Sequence, residues 1–261
     1  MPRSAHGGRH ELGQNFLVHR PTIDLLTALA ASTRGPILEI GAGDGALTRP
    51  LSALGRPVTA IEIDEHRVRR LRRALPGVRV VHADALRHPL SAPVVVGNVP
   101  FHLTTPILRR LLTTGTWEQA FLLTQWEVAR KRAGVGGGTI LTAQAAPWFD
   151  ASLHGRVPAR GFSPRPGVDG GVLGLVRRAT PLVDPARRPS YERFVRSVFV
   201  ARGAGLARML THAAPLGPAQ ARRTLARAGI GERALPRDLS PEQWASLWES
   251  AKGDRPPRDG S

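Results

Sequence analysis

Four short apolar runs, Pro36-Ile-Leu-Glu-Ile, Pro57-Val-Thr-Ala-Ile-Glu-Ile, Val78-Arg-Val-Val-His-Ala and Pro93-Val-Val-Val-Gly, recur in the first hundred residues, separated by segments of helical character. Strands that run in the same direction need a crossover between them, so this rhythm implies βαβ units and a parallel sheet covered on both faces. A helix leads in, with Pro21 at its start and Ile23, Leu26 and Ala30 on one face. Ala120-Phe-Leu-Leu-Thr, Thr139-Ile-Leu-Thr-Ala and Gly171-Val-Leu-Gly-Leu-Val read as further strands, the last two antiparallel at one edge. The fold class is therefore α/β, a doubly wound and mostly parallel sheet that ends near residue 178.

Beyond Thr180 the pattern turns helical. Tyr191, Phe194, Val195, Val198 and Phe199 form one apolar stripe at helical spacing, with arginines beside it. A last helix is announced by Ser240 as N-cap, Pro241 at the first position and Gln243 completing a capping box, with Trp244, Leu247 and Trp248 facing inward. The expected organisation is a flexible N-terminal segment (1–19), a sheet domain (20–178), a smaller all-helical domain (179–251) and a disordered tail (252–261).

Composition narrows the chemistry. The absence of cysteine in 261 residues excludes disulfides, thiolate zinc sites and a cysteine nucleophile. His6 and His10 have helical ligand spacing but no acidic or thiol companions, so no metal is expected. Neither a run of roughly 20 apolar residues nor a secretory leader is present, which points to a soluble cytoplasmic protein that no membrane holds. The formal charge is +17, with 23 basic against 12 acidic residues up to Thr180 and 14 against 8 after it. An excess spread over both halves suits a polyanion gripped along a broad surface.

The chemistry gathers where strands end. Glu39-Ile-Gly-Ala-Gly-Asp-Gly follows the first strand, and Gly41 and Gly43 let the backbone pass close beneath a ligand. Asp44 would set a negative charge where a dinucleotide's pyrophosphate lies, so a cationic sulfonium with an amino-acid tail fits better. Glu62, ahead of Ile63, closes the second strand where a carboxylate can accept ribose hydroxyls. Asp84 closes the third, placed to accept an adenine amino group while the Ala85 N–H supplies the complementary contact. Each acid alone would serve as a strand-end solubilising residue; together they converge on the crevice where doubly wound sheets bind ligands. The fourth strand ends in Asn98-Val-Pro-Phe. Asn98 Oδ1 and the Val99 carbonyl, held by the restricted backbone of Pro100, can accept both hydrogens of an exocyclic aromatic amine and turn its lone pair toward a methyl donor. Phe101 would stack on the target base.

The series Gly13-Gln-Asn-Phe-Leu, Glu39-Ile-Gly-Ala-Gly-Asp-Gly-Ala-Leu-Thr, Ile61-Glu-Ile-Asp, Ala83-Asp-Ala, Asn98-Val-Pro-Phe, Gln125-Trp-Glu-Val-Ala and Phe162-Ser-Pro-Arg-Pro-Gly-Val-Asp resembles the rRNA adenine N6-methyltransferases over about residues 10 to 178. Pro147-Trp-Phe, Leu153-His-Gly-Arg-Val-Pro-Ala-Arg and Val168-Asp-Gly-Gly-Val-Leu are more similar to the Erm branch, which confers macrolide, lincosamide and streptogramin B resistance. The resemblance implies a Rossmann-like methyltransferase fold and S-adenosylmethionine as cofactor. Its target would be an adenine in the peptidyl-transferase loop of 23S rRNA. Because that adenine must be unpaired or extrudable, activity is expected on free rRNA or precursor particles, and the enzyme is expected to be a monomer. By motif match Gln14, Asn15, Leu17, Glu39, Gly41, Gly43, Glu62, Ile63, Asp84, Ala85 and Asn98 would form the cofactor site. Phe162 would cover the face of the adenine opposite Phe101, which stands where the family often has tyrosine. Arg67, Arg70, Arg73, Arg156, Arg160, Arg165, Arg193 and Arg196 serve either as RNA contacts or as solvated surface. Two other readings stay open: a small-subunit rRNA adenine dimethyltransferase of ribosome assembly, and a non-catalytic rRNA-binding factor, against which the intact Glu62, Asp84 and Asn98 speak. A DNA adenine methyltransferase is weaker, because no second domain is large enough for target-sequence recognition.

Overall fold

The structure, a computed structural model, describes residues 15–114 and 116–253. In chain order its elements are β1 (Phe16–Leu17), α1 (Arg20–Ala31), β2 (Ile37–Ile40), α2 (Thr48–Ser52), β3 (Val58–Glu62), α3 (Glu65–Ala74), β4 (Arg79–His82), β5 (Val94–Asn98), α4 (Thr104–Thr113), β6 (Gln119–Gln125), α5 (Trp126–Arg132), α6 (Ile140–Ala145), β7 (Phe149–Val157), β8 (Phe162–Ser163), β9 (Gly170–Arg177), α7 (Arg188–Val200), α8 (Leu206–Ala213), α9 (Pro218–Arg227) and α10 (Pro241–Gly253). Seven strands form one sheet in the order β4-β3-β2-β5-β6-β9-β7. The first five run parallel and β9 pairs antiparallel with β6. The order reverses between β2 and β5, which makes the gap between their carboxyl ends the natural ligand crevice of a doubly wound sheet.

The central strands are apolar without alternation because both faces are covered: every residue of β2 is buried, and so are Val94, Val95 and Val96 of β5. Helix α1 buries Ile23, Leu26 and Ala30, the face its periodicity marks. Asp64 caps α3 by accepting from the N–H groups of His66 and Arg67 at 2.8 and 3.2 Å.

Two expectations are corrected. Thr139-Ile-Leu-Thr-Ala is not a strand. The Thr139 hydroxyl accepts from the Thr142 N–H at 3.3 Å and caps helix α6, so local capping prevails over the strand preference of β-branched residues. The sheet edge is instead β7, whose ends Phe149 and Val157 are buried while Asp150, Ser152, His154 and Arg156 are exposed.

The described chain divides into two compact units, one running to Arg130 and including Ser152–Arg177, the other made of Lys131–Ala151 and the residues from Arg178 onward. Residues 131–151 thus group with the helical part, where the sequence placed them in the sheet domain. The helical unit is organised by aromatic contacts: Tyr191 meets Trp148 and Trp248 edge to face at 5.5 and 5.6 Å, and its hydroxyl donates to the Ala143 carbonyl at 3.0 Å. The capping box of α10 is present, Gln243 N–H donating to Ser240 Oγ at 3.2 Å and Ser240 N–H to Gln243 Oε1 at 3.0 Å. Helix α10 runs through Lys252 to Gly253; the rest of the expected tail, Gln14 and the pair His6 and His10 lie outside the described residues. Among the described residues no helix is long and apolar enough to cross a membrane, and no cluster of acidic or histidine side chains could hold a metal.

Candidate active site

A cleft of about 320 Å³ opens at the carboxyl ends of β2, β3, β4 and β5. Its walls come from Asn15–Val18, Glu39–Asp44, Ile61–Ile63, Ala83–Ala85, Asn98 and Pro100, with Leu103 and Ile107 behind them. Asn15, Leu17, Glu39, Gly41, Gly43, Glu62, Ile63, Asp84, Ala85 and Asn98, the described members of the expected cofactor set, all lie on this one surface. Leu103, the N-cap of α4, and Ile107 within it are lining residues that sequence reasoning missed; their spacing of four just after Asn98-Val-Pro-Phe is the signal that puts both on one side.

Glu62 is 3% exposed and heavily engaged. Its Oε2 accepts from the Gly43 N–H at 2.7 Å, and Oε1 accepts from Ile63 and Asp64 N–H at 2.9 Å each. A carboxylate offers about four acceptor positions, so these three bonds leave about one for a ligand hydroxyl. Glu39, 1% exposed, is the opposite case: its Oε2 has no hydrogen-bond partner. Burial pushes its carboxyl up to about 7, opposed by Thr48 and reinforced by the neighbouring Glu62 charge. Asp84 Oδ1 accepts from the Leu86 N–H at 2.8 Å and shapes the turn after β4. Among the described residues carboxylates dominate the charged lining, with Arg49 the one basic side chain in it, which suits a cationic ligand and opposes a pyrophosphate.

Around the end of β5, Asn98 Nδ2 donates to the main-chain carbonyl of Asn15 at 2.8 Å. Val99 is buried and its N–H donates to the Leu123 carbonyl at 3.0 Å, which anchors the motif to β6. Pro100 turns the chain into a short 3-10 turn closed by the Leu103 N–H on the Pro100 carbonyl at 2.8 Å. Phe101 follows, half-buried, with its ring 5.9 Å from that of Phe162 at 72°. Phe162 is 3% exposed, and its ring occupies the room left by Gly170, where a Cβ would come within 2.8 Å of Cζ. Asp169 secures the same loop by accepting from the Ala159 N–H at 2.8 Å.

The arginines divide. Arg73, Arg160, Arg165, Arg193 and Arg196 are exposed. Arg156 pairs with Asp169 at 2.8 Å over the Trp126 ring, and Arg70 pairs with Asp44. Arg67 departs most from a solvated helix face. Its side chain is 19% exposed, it contacts Asp44 at 2.5 Å and Asp64 at 3.4 Å, and its guanidinium lies 4.2 Å from the centroid of the Phe16 ring. Asp44 therefore carries a paired charge.

Comparison with known proteins follows the same outline. The family described as ribosomal RNA adenine dimethylase matches residues 5–252. The mycinamicin-resistance protein MyrB of Micromonospora griseorubida is 49% identical over 97% of this chain and 82% of its own length. An rRNA adenine N-6-methyltransferase of Corynebacterium diphtheriae is 48% identical over 79% of this chain and 84% of its own. Among solved structures, the 23S rRNA methyltransferase ErmE superposes with a TM-score of 0.81 at 35% identity, covering 91% of this chain and all of that one.

Proposed function

Since the chain belongs to the ribosomal RNA adenine dimethylase family, we propose that it methylates N6 of an adenine in the peptidyl-transferase loop of 23S rRNA with S-adenosylmethionine, and so confers macrolide-type resistance. The observation that carries this reading is the convergence of the glycine loop, Glu62, Asp84 and Asn98 on one acidic cleft at the reversal point of the sheet. The likeness to MyrB and ErmE favours the large-subunit target over the small-subunit one.

The residues fit the cofactor. S-adenosylmethionine supplies an electrophilic methyl group on a cationic sulfur. Glu62 would accept a ribose hydroxyl through its remaining acceptor position; a second hydroxyl requires one backbone N–H to give way. Asp84 and the Ala85 N–H would read the cofactor's adenine ring. Glu39, buried in the wall of the cleft, would back the amino-acid end.

Asn98 would act on the target adenine. An aromatic amine is a poor nucleophile because its lone pair is shared with the ring. Accepting its two hydrogens on Asn98 Oδ1 and the Val99 carbonyl favours a pyramidal nitrogen, and positioning rather than a general base then does the catalysis. Phe101 would hold the base by stacking, worth roughly 1–3 kcal/mol, which offsets part of what extracting the base from its own stack costs. A base sandwiched between two rings needs them roughly 7 Å apart and parallel, two van der Waals contacts of about 3.5 Å each. Phe101 and Phe162 are closer and edge to face, so the rings must part. The half-buried Phe101 is the one free to swing, because Phe162 is fixed against Gly170. Methylation of N6 removes a donor and adds bulk where the drug binds. The enzyme would meet its target in the cytoplasm on free rRNA or precursor particles, before the loop is enclosed.

The deciding experiment is transfer of labelled methyl from S-adenosylmethionine to protein-free large- and small-subunit rRNA, with mapping of the modified nucleotide. Label on a peptidyl-transferase-loop adenine is expected. Label confined to small-subunit rRNA would assign the chain to ribosome assembly, and cofactor binding without label on either would leave a binding factor.

A further inference from the structure

The segment Asn15–Val18 lines the site as a strap, and at its far end the Val18 and His19 N–H groups both donate to the Gly161 carbonyl, at 2.9 and 3.1 Å. Its ladder is two residues long, Phe16 opposite Ser163 and Leu17 opposite Phe162, and so short a pair is weak unless side chains anchor it. Phe16 supplies an anchor. A Cβ on Gly43 would meet the Phe16 ring at 3.1 Å, so the ring is seated directly on the glycine loop, in space that a side chain there would crowd. The Arg67 guanidinium lies over this ring and is held by Asp44, the next residue of that loop, and by Asp64 at the head of α3.

One residue before Phe16, the Asn15 carbonyl accepts from Asn98 Nδ2. A carbonyl cannot donate, so it selects the NH2 end of the amide and leaves Oδ1 as the end available to the target amine. A flipped amide would confront the amine hydrogens with more hydrogens. The two orientations have nearly the same shape, so only a fixed partner separates them.

We infer that Arg67, with Phe16 and Asp44, is a positioning clamp for methyl transfer: it pins the strap on the glycine loop so that the Asn15 carbonyl holds the Asn98 amide with its acceptor toward the adenine. The inference rests on the reading of Asn98 as the acceptor. It assigns Arg67 to turnover, whereas an arginine on an exposed helix face would serve rRNA affinity.

The test is steady-state kinetics of Arg67→Gln on protein-free large-subunit rRNA at saturating S-adenosylmethionine. The clamp predicts a kcat reduced about tenfold or more with KM for rRNA changed less than about threefold. A KM for rRNA that rises with a shallower salt dependence at unchanged kcat would make Arg67 a phosphate contact and overturn the clamp, as would kinetics like those of the parent. Phe16→Leu, which removes the ring but no charge, must show the same kcat loss, and Arg67→Lys must recover part of it. The double variant Arg67→Gln/Phe16→Leu should be no worse than the more damaging single one, since both break one device; losses that simply multiply would refute it. Asn98→Ala separates the premise from the inference. Full turnover in Asn98→Ala removes the reading of the site, while an inactive Asn98→Ala beside a fully active Arg67→Gln removes the clamp alone.

Discussion

Among the described residues of the sheet unit the buried side-chain atoms without a hydrogen bond are Glu39 Oε2, Thr48 Oγ1, Arg67 Nε and Thr104 Oγ1, of which Glu39 belongs to the wall of the cleft and Thr48 opposes the rise of its carboxyl. Among the described residues of the helical unit they are Trp148 Nε1 and Lys252 Nζ, both donors set among aromatic rings: the ammonium sits 2.8 Å from the Trp248 centroid, and Trp148 packs against Tyr191 beneath Arg188. Lys252 has a π face as its partner from the moment the chain folds. The Glu39 carboxyl, pushed up to about 7 by burial, has no such partner for its Oε2. The two cores thus differ: the helical one sets its unbonded donors against aromatic rings, while the sheet one holds a buried carboxyl in the wall of the cleft.

The largest effect that would sharpen this contrast is loss of the Asn98 amide. Asn98→Ala should lower the rate of methyl transfer about 1000-fold while S-adenosylmethionine still binds, since alignment of the amine is lost and the cleft is kept. Single-turnover rates beside calorimetric cofactor binding check it, and near-parental rates would break the assignment.

Glu39 comes next. Its carboxyl titrates near 7 in the folded protein against 4.5 as the ordinary value. The folded chain therefore holds a proton that the unfolded chain has released between these pH values, and stability falls as pH rises through that window, by on the order of 3 kcal/mol in total. Below 4.5 and above 7 this contribution is flat. Glu39→Gln should remove the slope, so melting temperatures of the two proteins converge toward acid and separate toward neutral pH with the variant higher. Parallel curves across the window would show that Glu39 is not held neutral.

A smaller loss, roughly 1–3 kcal/mol of transition-state stabilisation, is expected for Phe101→Ala. It should be visible in kcat/KM on rRNA with cofactor affinity kept, because Phe101 lies outside the cleft lining. The smallest belongs to the helical unit. Tyr191→Phe deletes the hydroxyl that donates to the Ala143 carbonyl, and should cost about 1 kcal/mol of stability with methyl transfer unaltered. A Tyr191→Phe protein of normal stability but impaired turnover would break the division between the helical unit and the one that holds the cleft.

Much of this architecture is legible in the chain. The apolar runs at β2 to β5, the loop between Gly41 and Gly45 and the cap at Ser240 and Gln243 are local signals, each decided within a few residues. Strand β7 carried a legible signal too, in the alternation of Phe149, Ala151, Leu153 and Val157 with polar neighbours. Thr139-Ile-Leu-Thr-Ala misleads because its residue types favour strands, whereas one hydroxyl bond at its start decides for a helix. Arg67 sits by sequence in a basic helix face, and nothing nearby reports that Asp44, 23 residues earlier, draws it inward.

The sequence by itself determined which elements form, where the parallel strands end, and therefore which residues come to the cleft, because periodicity, caps and glycine turns act over a few residues. Only the tertiary structure decided how those residues are oriented and charged. The Asn98 amide is turned by a carbonyl 83 residues away. The proton on Glu39 depends on burial and on Glu62 from the neighbouring strand. Orientation and protonation are set by what surrounds a group in space, and neighbours in space are chosen by the fold.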